Sequence, residues 1–437
     1  MFAKLKLSLK NINYKLFIAL LVMGLCPTIY TTLRVFWLGE LPGEWSFSIA
    51  GQLSWVNLLY EVINEAIILP LFYFIGKVIL DKKEITNRIK TGLLLSFAVY
   101  FCLSIIIVIF AEDLLLLMAA SPDIIEASVS YIRIEAIANI FIILFNFILV
   151  TLITLGKDKN VYILTVIKLI LSVVIDTFLL SNLRVSLNLG VNGIAYSNII
   201  VNLILFVLSI YILYKEGINL FNREKLTFSW IKEFLKVGGI SGLESFVRNL
   251  FYMLMISRMV NVVGEQGTYW VANNFIWGWL LLPVIQLGEL IKQEVSTNKD
   301  AIKNNTLGYF FITACICLLW CITIPLYKPF MSNILNFSEV DKLFNLVMVL
   351  LVFYMCYAFQ NIFDSTFYGL GKTNYMLFES VVTNIIYYGV CFILYITNIF
   401  KPSLLGIALM FGIGNLFDSI VSLVAYLFLL KNIRKNY

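Results

Sequence analysis

The sequence predicts an all-α integral membrane protein, about twelve transmembrane helices in two parallel six-helix repeats around a central cleft. Three observations carry this expectation. Of 437 residues, 61% are hydrophobic and 13% charged, against roughly 25% charged in an average soluble domain, and mean hydropathy is +0.91. Apolar runs of about 20 residues, long enough to cross a ~30 Å hydrocarbon core as helices, recur along nearly the whole chain. Two short motifs also return in the second half at almost constant offset.

Taken in order, the expected spans are 16–38, 46–76, 91–111, 123–153, 160–181, 191–214, 236–263, 267–291, 306–326, 341–368, 374–398 and 403–430. The first is too long for a signal-peptide core and no small-residue cleavage site follows it, so it is read as retained. The runs are too long, and lack the ten-residue alternation, for strands of a lipid-facing barrel.

Charge sets the orientation. Net charge is +6, and the seven segments on the side of the N-terminus hold 23 Lys or Arg, among them Lys82, Lys83, Lys157, Lys159, Arg223, Lys225 and Arg434. The six opposite loops hold 4. By the positive-inside rule both termini are expected to be cytoplasmic, in a bacterial cytoplasmic membrane. All seven cysteines fall in apolar runs without a CxxC pair, which reads as packing. Histidine is absent, so proton or cation chemistry falls to carboxylates, hydroxyls and amides.

The polar stretch 215–232, KEGINLFNREKLTFSWIK, divides the chain into an N-lobe (1–214) and a C-lobe (233–437). Leu155-Gly156-Lys157 with Asn160 and Tyr162 resembles Leu370-Gly371-Lys372 with Asn374 and Tyr375. Gly193-Ile194-Ala195 matches Gly406-Ile407-Ala408. The offsets are 215 and 213 residues. Six spans per half give both halves the same orientation, a transporter architecture with a substrate site between the repeats.

Longer stretches resemble a known family. VVIDTFLL followed by LNLGVNGIAYSNII, LKVGGISGLESFVRN leading into MVNVVGEQG, and FYGLGKTNYM are similar to the multidrug and toxic compound extrusion (MATE) transporters. Their superfamily also holds lipid-linked oligosaccharide flippases. The likeness covers essentially the whole chain and implies twelve helices in two lobes around a cleft.

A charge at a helix centre costs roughly 2.5–3.5 kcal/mol on insertion scales, so it faces a cavity or a partner. The first half places Arg34, Glu61, Glu65, Arg133, Glu135, Lys168 and Asp176 within spans. The second places Glu244, Arg248, Arg258, Asp364, Glu379 and Asp418 there.

Asp176 stands alone in SVVIDTFLL, with Ser172 four residues earlier on the same face. Desolvation disfavours its charged form, so it could exchange a proton, or its oxygens could hold a cation. Hydroxyls, or Lys168 two turns below, could equally satisfy it. The family resemblance implies a proton or sodium-coupling Asp at Asp176. It places a family Asn on Ser172 and a first-helix Asp on Thr31, the last a departure. Its prolines are also displaced: the first span has Pro27, and the seventh has Ile240 at the expected position.

Glu61 and Glu65, spaced i, i+4, could form a cation site, share a proton, or pair with Arg34 and Arg133. Glu244 and Arg248, also i, i+4, read as an intrahelical salt bridge. Another family branch's coupling Glu falls on Asn249, and its tenth-helix acid on Tyr357, with Asp364 two turns away. Glu379 and Asp418 carry no assigned role. Arg34 and Arg258 are explained by snorkelling to the interface. Trp37, Trp45 and Trp230 read as an aromatic belt, and Trp277 and Trp279 could stack on a flat cation.

The resulting expectation is a secondary active efflux transporter exchanging H⁺ or Na⁺ for an amphipathic, cationic organic substrate by alternating access. Asp176, Ser172, Thr31, Glu61 and Glu65 are the coupling residues, with no metal site apart from a Na⁺ that Asp176 could hold. Arg34, Asn64, Lys168, Glu244, Arg248, Asn249, Tyr357, Gln360 and Asp364 are cleft candidates. Asp176→Asn is expected to abolish gradient-driven efflux and leave folding intact. The alternative is a flippase for an anionic lipid-linked oligosaccharide, contacted by Arg34, Lys168, Arg248 and Arg258; a scaffold or receptor without transport is a third. No GxxxxGK[ST] loop and no nucleophile-base arrangement is present, so no enzyme activity is expected. No cofactor is expected beyond the coupling ion, nor any nucleic acid; a monomer among membrane lipids is expected. The asymmetry of Asp176, whose counterpart by count is Val390, points to an ion site confined to the N-lobe.

Overall fold

The computed structural model describes residues 2–41, 45–78, 81–222 and 225–435. Arg223 and the Arg434 side chain, both counted among the inside basic residues, lie outside the described residues. Among these residues the regular structure is helical throughout, with no strand. In lipid a helix satisfies its own backbone hydrogen bonds, so apolar runs of this length have no cheaper alternative.

The helices are α1 (Phe2–Asn11), α2 (Tyr14–Glu40), α3 (Ser46–Gly76), α4 (Lys82–Leu117), α5 (Pro122–Thr154), α6 (Asp158–Leu180), α7 (Asn192–Lys215) and α8 (Ile231–Tyr252). A π turn, Met253–Ser257, leads into α9 (Arg258–Val262), and a second, Ile276–Leu280, joins α10 (Gln266–Phe275) to α11 (Leu282–Thr297). There follow α12 (Ala301–Asn304), α13 (Thr306–Asn333), α14 (Val340–Gly369), α15 (Thr373–Val382), a third π turn Thr383–Tyr388, α16 (Gly389–Ile396) and α17 (Leu404–Lys435).

Each expected span coincides with helix. Nine helices are long and apolar enough to cross a membrane among the described residues, or ten if the pair flanking Leu281, bent by 52°, is one span. Pro283 in the first turn of α11 accounts for that bend, since it has no N–H to continue the ladder. The expected spans that fall outside this set are α3 and the α8–α9 run. They bear Glu61, Glu65, Glu244 and Arg248.

Two compact units result. One runs from Leu33 to Met253. In it α5 is the central helix, packed against α4, α7 and α3, and α8 packs along α3. Local chemistry sets the ends: Asp81 caps α4 by accepting from the Lys83 and Glu84 amides at 3.0 and 3.1 Å, satisfying donors that a helix start leaves open. Trp230 is not in an interfacial belt. It is buried against Phe74 and Phe234 and donates to Thr91 Oγ1 at 3.0 Å, anchoring the start of α8.

The other unit comprises the residues up to Thr32 and from Leu254 onward. Here α14 is central, against α17, α13 and α11. The pairs α5·α7, α4·α5 and α3·α5 of the first unit thus recur as α14·α17, α13·α14 and α11·α14. The start of α2 belongs here as well: Thr28 Oγ1 donates to the Gly278 carbonyl at 3.0 Å, and Trp279 Nε1 to Thr32 Oγ1 at 2.9 Å.

The repeated Leu-Gly-Lys motif has the same geometry in both units. Gly156 (φ 68°) and Gly371 (φ 66°) adopt the left-handed conformation that glycine takes without steric cost. The next amide reaches back to close the helix, Lys157 N to Leu152 O at 2.9 Å and Lys372 N to Phe367 O at 2.8 Å, as in a Schellman C-cap. Beyond the first motif, Lys157 pairs with Glu216 at 2.5 Å and Asn160 donates to it at 3.0 Å. The Lys157 ammonium holds the Glu216 carboxyl below its usual range.

Candidate functional site

Asp176 is fully buried in α6 and is not isolated. Arg34 of α2 grips it with both edges of the guanidinium, Nε to Oδ2 at 2.7 Å and Nη2 to Oδ1 at 3.1 Å. The same Nη2 donates to Asn198 Oδ1 of α7 at 2.8 Å, and Asn198 Nδ2 donates to Glu135 Oε1 of α5 at 2.7 Å. Four helices therefore contribute to one buried chain of polar groups, in which the guanidinium holds Asp176 directly and is linked to Glu135 through Asn198. Glu135 Oε2 is buried with no hydrogen-bond partner. Ser172 lies one turn below Asp176 and is buried.

The partner of Asp176 is thus neither a hydroxyl nor Lys168, whose ammonium sits over the Phe145 ring. Arg34 does not snorkel; its side chain is 12% exposed because the charge is neutralised inside the bundle. Thr31, three residues before Arg34, belongs to the other compact unit.

A second cluster surrounds Arg248 of α8. Its guanidinium meets Glu65 at 2.8 Å, Glu244 at 3.3 Å and Glu61 at 3.4 Å. The expected Glu244–Arg248 bridge forms, and Glu61 and Glu65 join it instead of pairing with Arg34 and Arg133. Arg133 donates to the Val108 carbonyl at 3.1 Å. Close helix contact makes this possible: Gly238 and Gly242 of α8 lie on α3 at Ala66. Asn249 is buried and donates to the Leu58 carbonyl at 3.1 Å, and Asn64 lies half-buried on α3. The Arg248 side chain remains 43% exposed. Glu61 and Glu65 pair with Arg248 and Asp176 pairs with Arg34, so the expected coupling residues divide into two clusters.

In the other unit Arg258 donates to Tyr395 Oη at 3.0 Å. Tyr357 packs edge-on against Trp277, and Trp279 against Phe330. Gln360 and Asp364 belong to a polar cluster on α14 with Asp418 of α17, Gln360 Nε2 reaching Asp364 at 3.2 Å and Asp418 at 2.6 Å. Val390, the counterpart of Asp176 by count, is 53% exposed. The π turn Thr383–Tyr388 precedes it, and the extra residue of a π turn rotates every later side chain around the axis, so counting loses register there. Buried acids are consequently not confined to the half with Asp176.

Sequence reasoning placed Glu135 among the intramembrane charges but gave it no role, and it passed over Asn198. Only their polarity inside apolar runs marked them.

The fold defines a class: a helical membrane protein of two repeated units, each bearing buried charge networks. The MatE family model matches residues 79–178. Across 93% of this chain and 95% of the other, the structure is similar, with TM-score 0.78 and 19% identity, to an inward-facing multidrug resistance MATE family transporter of the MOP superfamily. An outward-facing structure described in the same words matches with TM-score 0.66 and 17% identity over 97% and 96% of the chains. A MOP superfamily transporter from Pyrococcus furiosus, described as having a binding pocket of reversed polarity that suggests a different function, matches with TM-score 0.67 and 16% identity over 98% and 97%. No curated protein matches the sequence. The fold is therefore that of MATE transporters.

Proposed function

We propose that this protein is a secondary active transporter that exports an amphipathic organic cation in exchange for H⁺ or Na⁺ by alternating access. Support for transport comes from the shared fold, because the solved structures include inward-facing and outward-facing states of a MATE transporter. Support for a cationic cargo comes from one observation: a single guanidinium, Arg248, faces three carboxylates and stays 43% exposed. Such a cluster carries surplus negative charge in a setting where charge is weakly screened.

Coupling is assigned to the buried chain Asp176–Arg34–Asn198–Glu135, with Ser172 as a further proposed member and Glu61 and Glu65 at the cargo end. Arg34 occupies both oxygens of Asp176, so Glu135, with one unpartnered oxygen, is the member with capacity for a proton. Less supports an anionic lipid cargo: Arg34 and Arg248 are engaged by carboxylates, and Lys168 lies over a ring. No cofactor beyond the coupling ion is proposed.

Purified protein in proteoliposomes is expected to move a fluorescent organic cation when a pH or sodium gradient is imposed. Glu65→Gln is expected to slow that flux about tenfold, equivalent to ~1.4 kcal/mol. Flux of a lipid-linked anion in place of the cation, or no flux under either gradient, overturns the proposal.

A further inference from the structure

Helix α1, FAKLKLSLKN, holds three lysines and no acidic residue, and the proposed export cycle does not use it. One of its faces, with Ile12 just beyond its end, belongs to the protein. Ser8 and Ile12 are buried, Leu9 packs against the core built from α11 to α14 and α17, and Ser8 Oγ accepts from the Gly308 amide at 2.8 Å. A Cβ on Gly308 would lie 2.7 Å from Ile12 Cδ1, so glycine at the third position of α13 is what admits this contact.

The corner after α1 is fixed as well. Glu294, near the end of α11, accepts from the Asn13 amide at 2.8 Å with one oxygen and from Asn305 Nδ2 at 2.8 Å with the other, which also takes the Tyr309 hydroxyl. Asn13 Oδ1 in turn accepts from the Leu16 amide at 3.1 Å, capping the start of α2. These contacts hold α1 against the first turn of α13 and beside α12.

The outward stripe of α1 is of another kind. Lys4, Leu7 and Lys10 recur at every third position and so share a face, with Lys6 beside them; all four are exposed, Leu7 by 61%. Among the described residues none of these lysines forms a salt bridge. Two residues separate α1 from α2, a helix long and apolar enough to cross a membrane, and that link reaches roughly 10 Å at full extension. The stripe therefore lies at the level where hydrocarbon gives way to headgroups. A leucine there can enter the acyl boundary while flanking lysine stems keep their ammoniums at the surface, and basic segments beside a span are attracted to anionic lipid.

We propose that Lys4, Lys6, Leu7 and Lys10 form a lipid-docking surface that binds anionic phospholipid headgroups around the start of α2 and inserts Leu7 among them. The occupant is lipid and not an acidic protein segment, because the contacts of Ser8, Ile12 and Asn13 hold the stripe at membrane depth, where lipid is the neighbour in excess.

Two measurements on the full chain test this, neither of them a transport assay. In a background with the native cysteines replaced, Leu7→Cys carrying an environment-sensitive dye is reconstituted into vesicles of phosphatidylglycerol and phosphatidylcholine. Its emission is expected to be quenched by brominated acyl chains and protected from aqueous iodide. Quenching by iodide without quenching by brominated lipid places the stripe in water, open to a protein partner, and overturns the proposal. The second measurement keeps the native cysteines: wild type and a variant combining Lys4→Gln, Lys6→Gln and Lys10→Gln are purified from the same mixed lipid, and the retained phosphatidylglycerol is compared. Each neutralised lysine is expected to lower the preference for the anionic lipid about fivefold. Equal retention by the two proteins overturns the proposal, whether or not either of them moves a cation.

Discussion

Arg34 and Asp176 carry the largest single-residue consequence. Two parallel N–H···O contacts between guanidinium and carboxylate are both strong and directional, and they neutralise two charges that would each be costly in the bilayer. Removing one partner leaves the other buried and uncompensated, a loss on the order of 3 kcal/mol. Asp176→Asn is therefore expected to lower the thermal unfolding midpoint in detergent, and a second change, Arg34→Met, to recover most of the loss. This amends the expectation that Asp176→Asn leaves folding intact; an unchanged midpoint would show that the pair contributes nothing. The anomaly of an aspartate in SVVIDTFLL is legible in sequence, but its partner lies 142 residues away. Lys168 and Arg184 are the nearest bases along the chain, and proximity along a chain does not decide contact in a bundle.

At the level of elements, the glycines of LKVGGISGLES set how closely α8 approaches α3. A Cβ on Gly238 would lie 1.9 Å from the Ala66 carbonyl oxygen, and one on Gly242 2.9 Å from the Ala66 Cβ, whereas Gly239 has nothing within 4 Å. Backbone cannot yield as a flexible side chain can, so Gly238→Ala is expected to destabilise by about 1–3 kcal/mol through overpacking. It should also pull Arg248 away from Glu61 and Glu65. Gly239→Ala is expected to be neutral or stabilising by up to ~1 kcal/mol, since alanine is the better helix former. Thermal unfolding of the two variants side by side checks this, and equal midpoints would contradict the close contact. Three glycines in five residues are visible in the sequence. Which of them touches another helix is not, because that depends on the rotation of α8 about its axis. The Leu-Gly-Lys motifs are the opposite case: a helix end depends on local backbone alone, so likeness of sequence became likeness of structure.

For the whole molecule, the distribution of Lys and Arg makes a topological prediction that the fold does not test. In a background with the seven native cysteines replaced, Lys159→Cys is expected to react with a membrane-impermeant thiol reagent only from the cytoplasmic side, and Arg184→Cys only from the outside. The reverse pattern would invert the assigned orientation. Helicity, span positions and the twofold repeat followed from the sequence by itself, because hydrophobic length and backbone satisfaction in lipid are properties of local segments. Tertiary structure alone decided the long-range pairing of the buried charges: Arg34 with Asp176, and Arg248 with Glu61 and Glu65. Each joins residues far apart in the chain whose meeting depends on helix rotation, on π turns that shift register, and on glycines that admit close approach. Desolvation makes an unpaired charge in such a bundle costly, so those contacts, more than the apolar runs, distinguish this fold's chemistry from its outline.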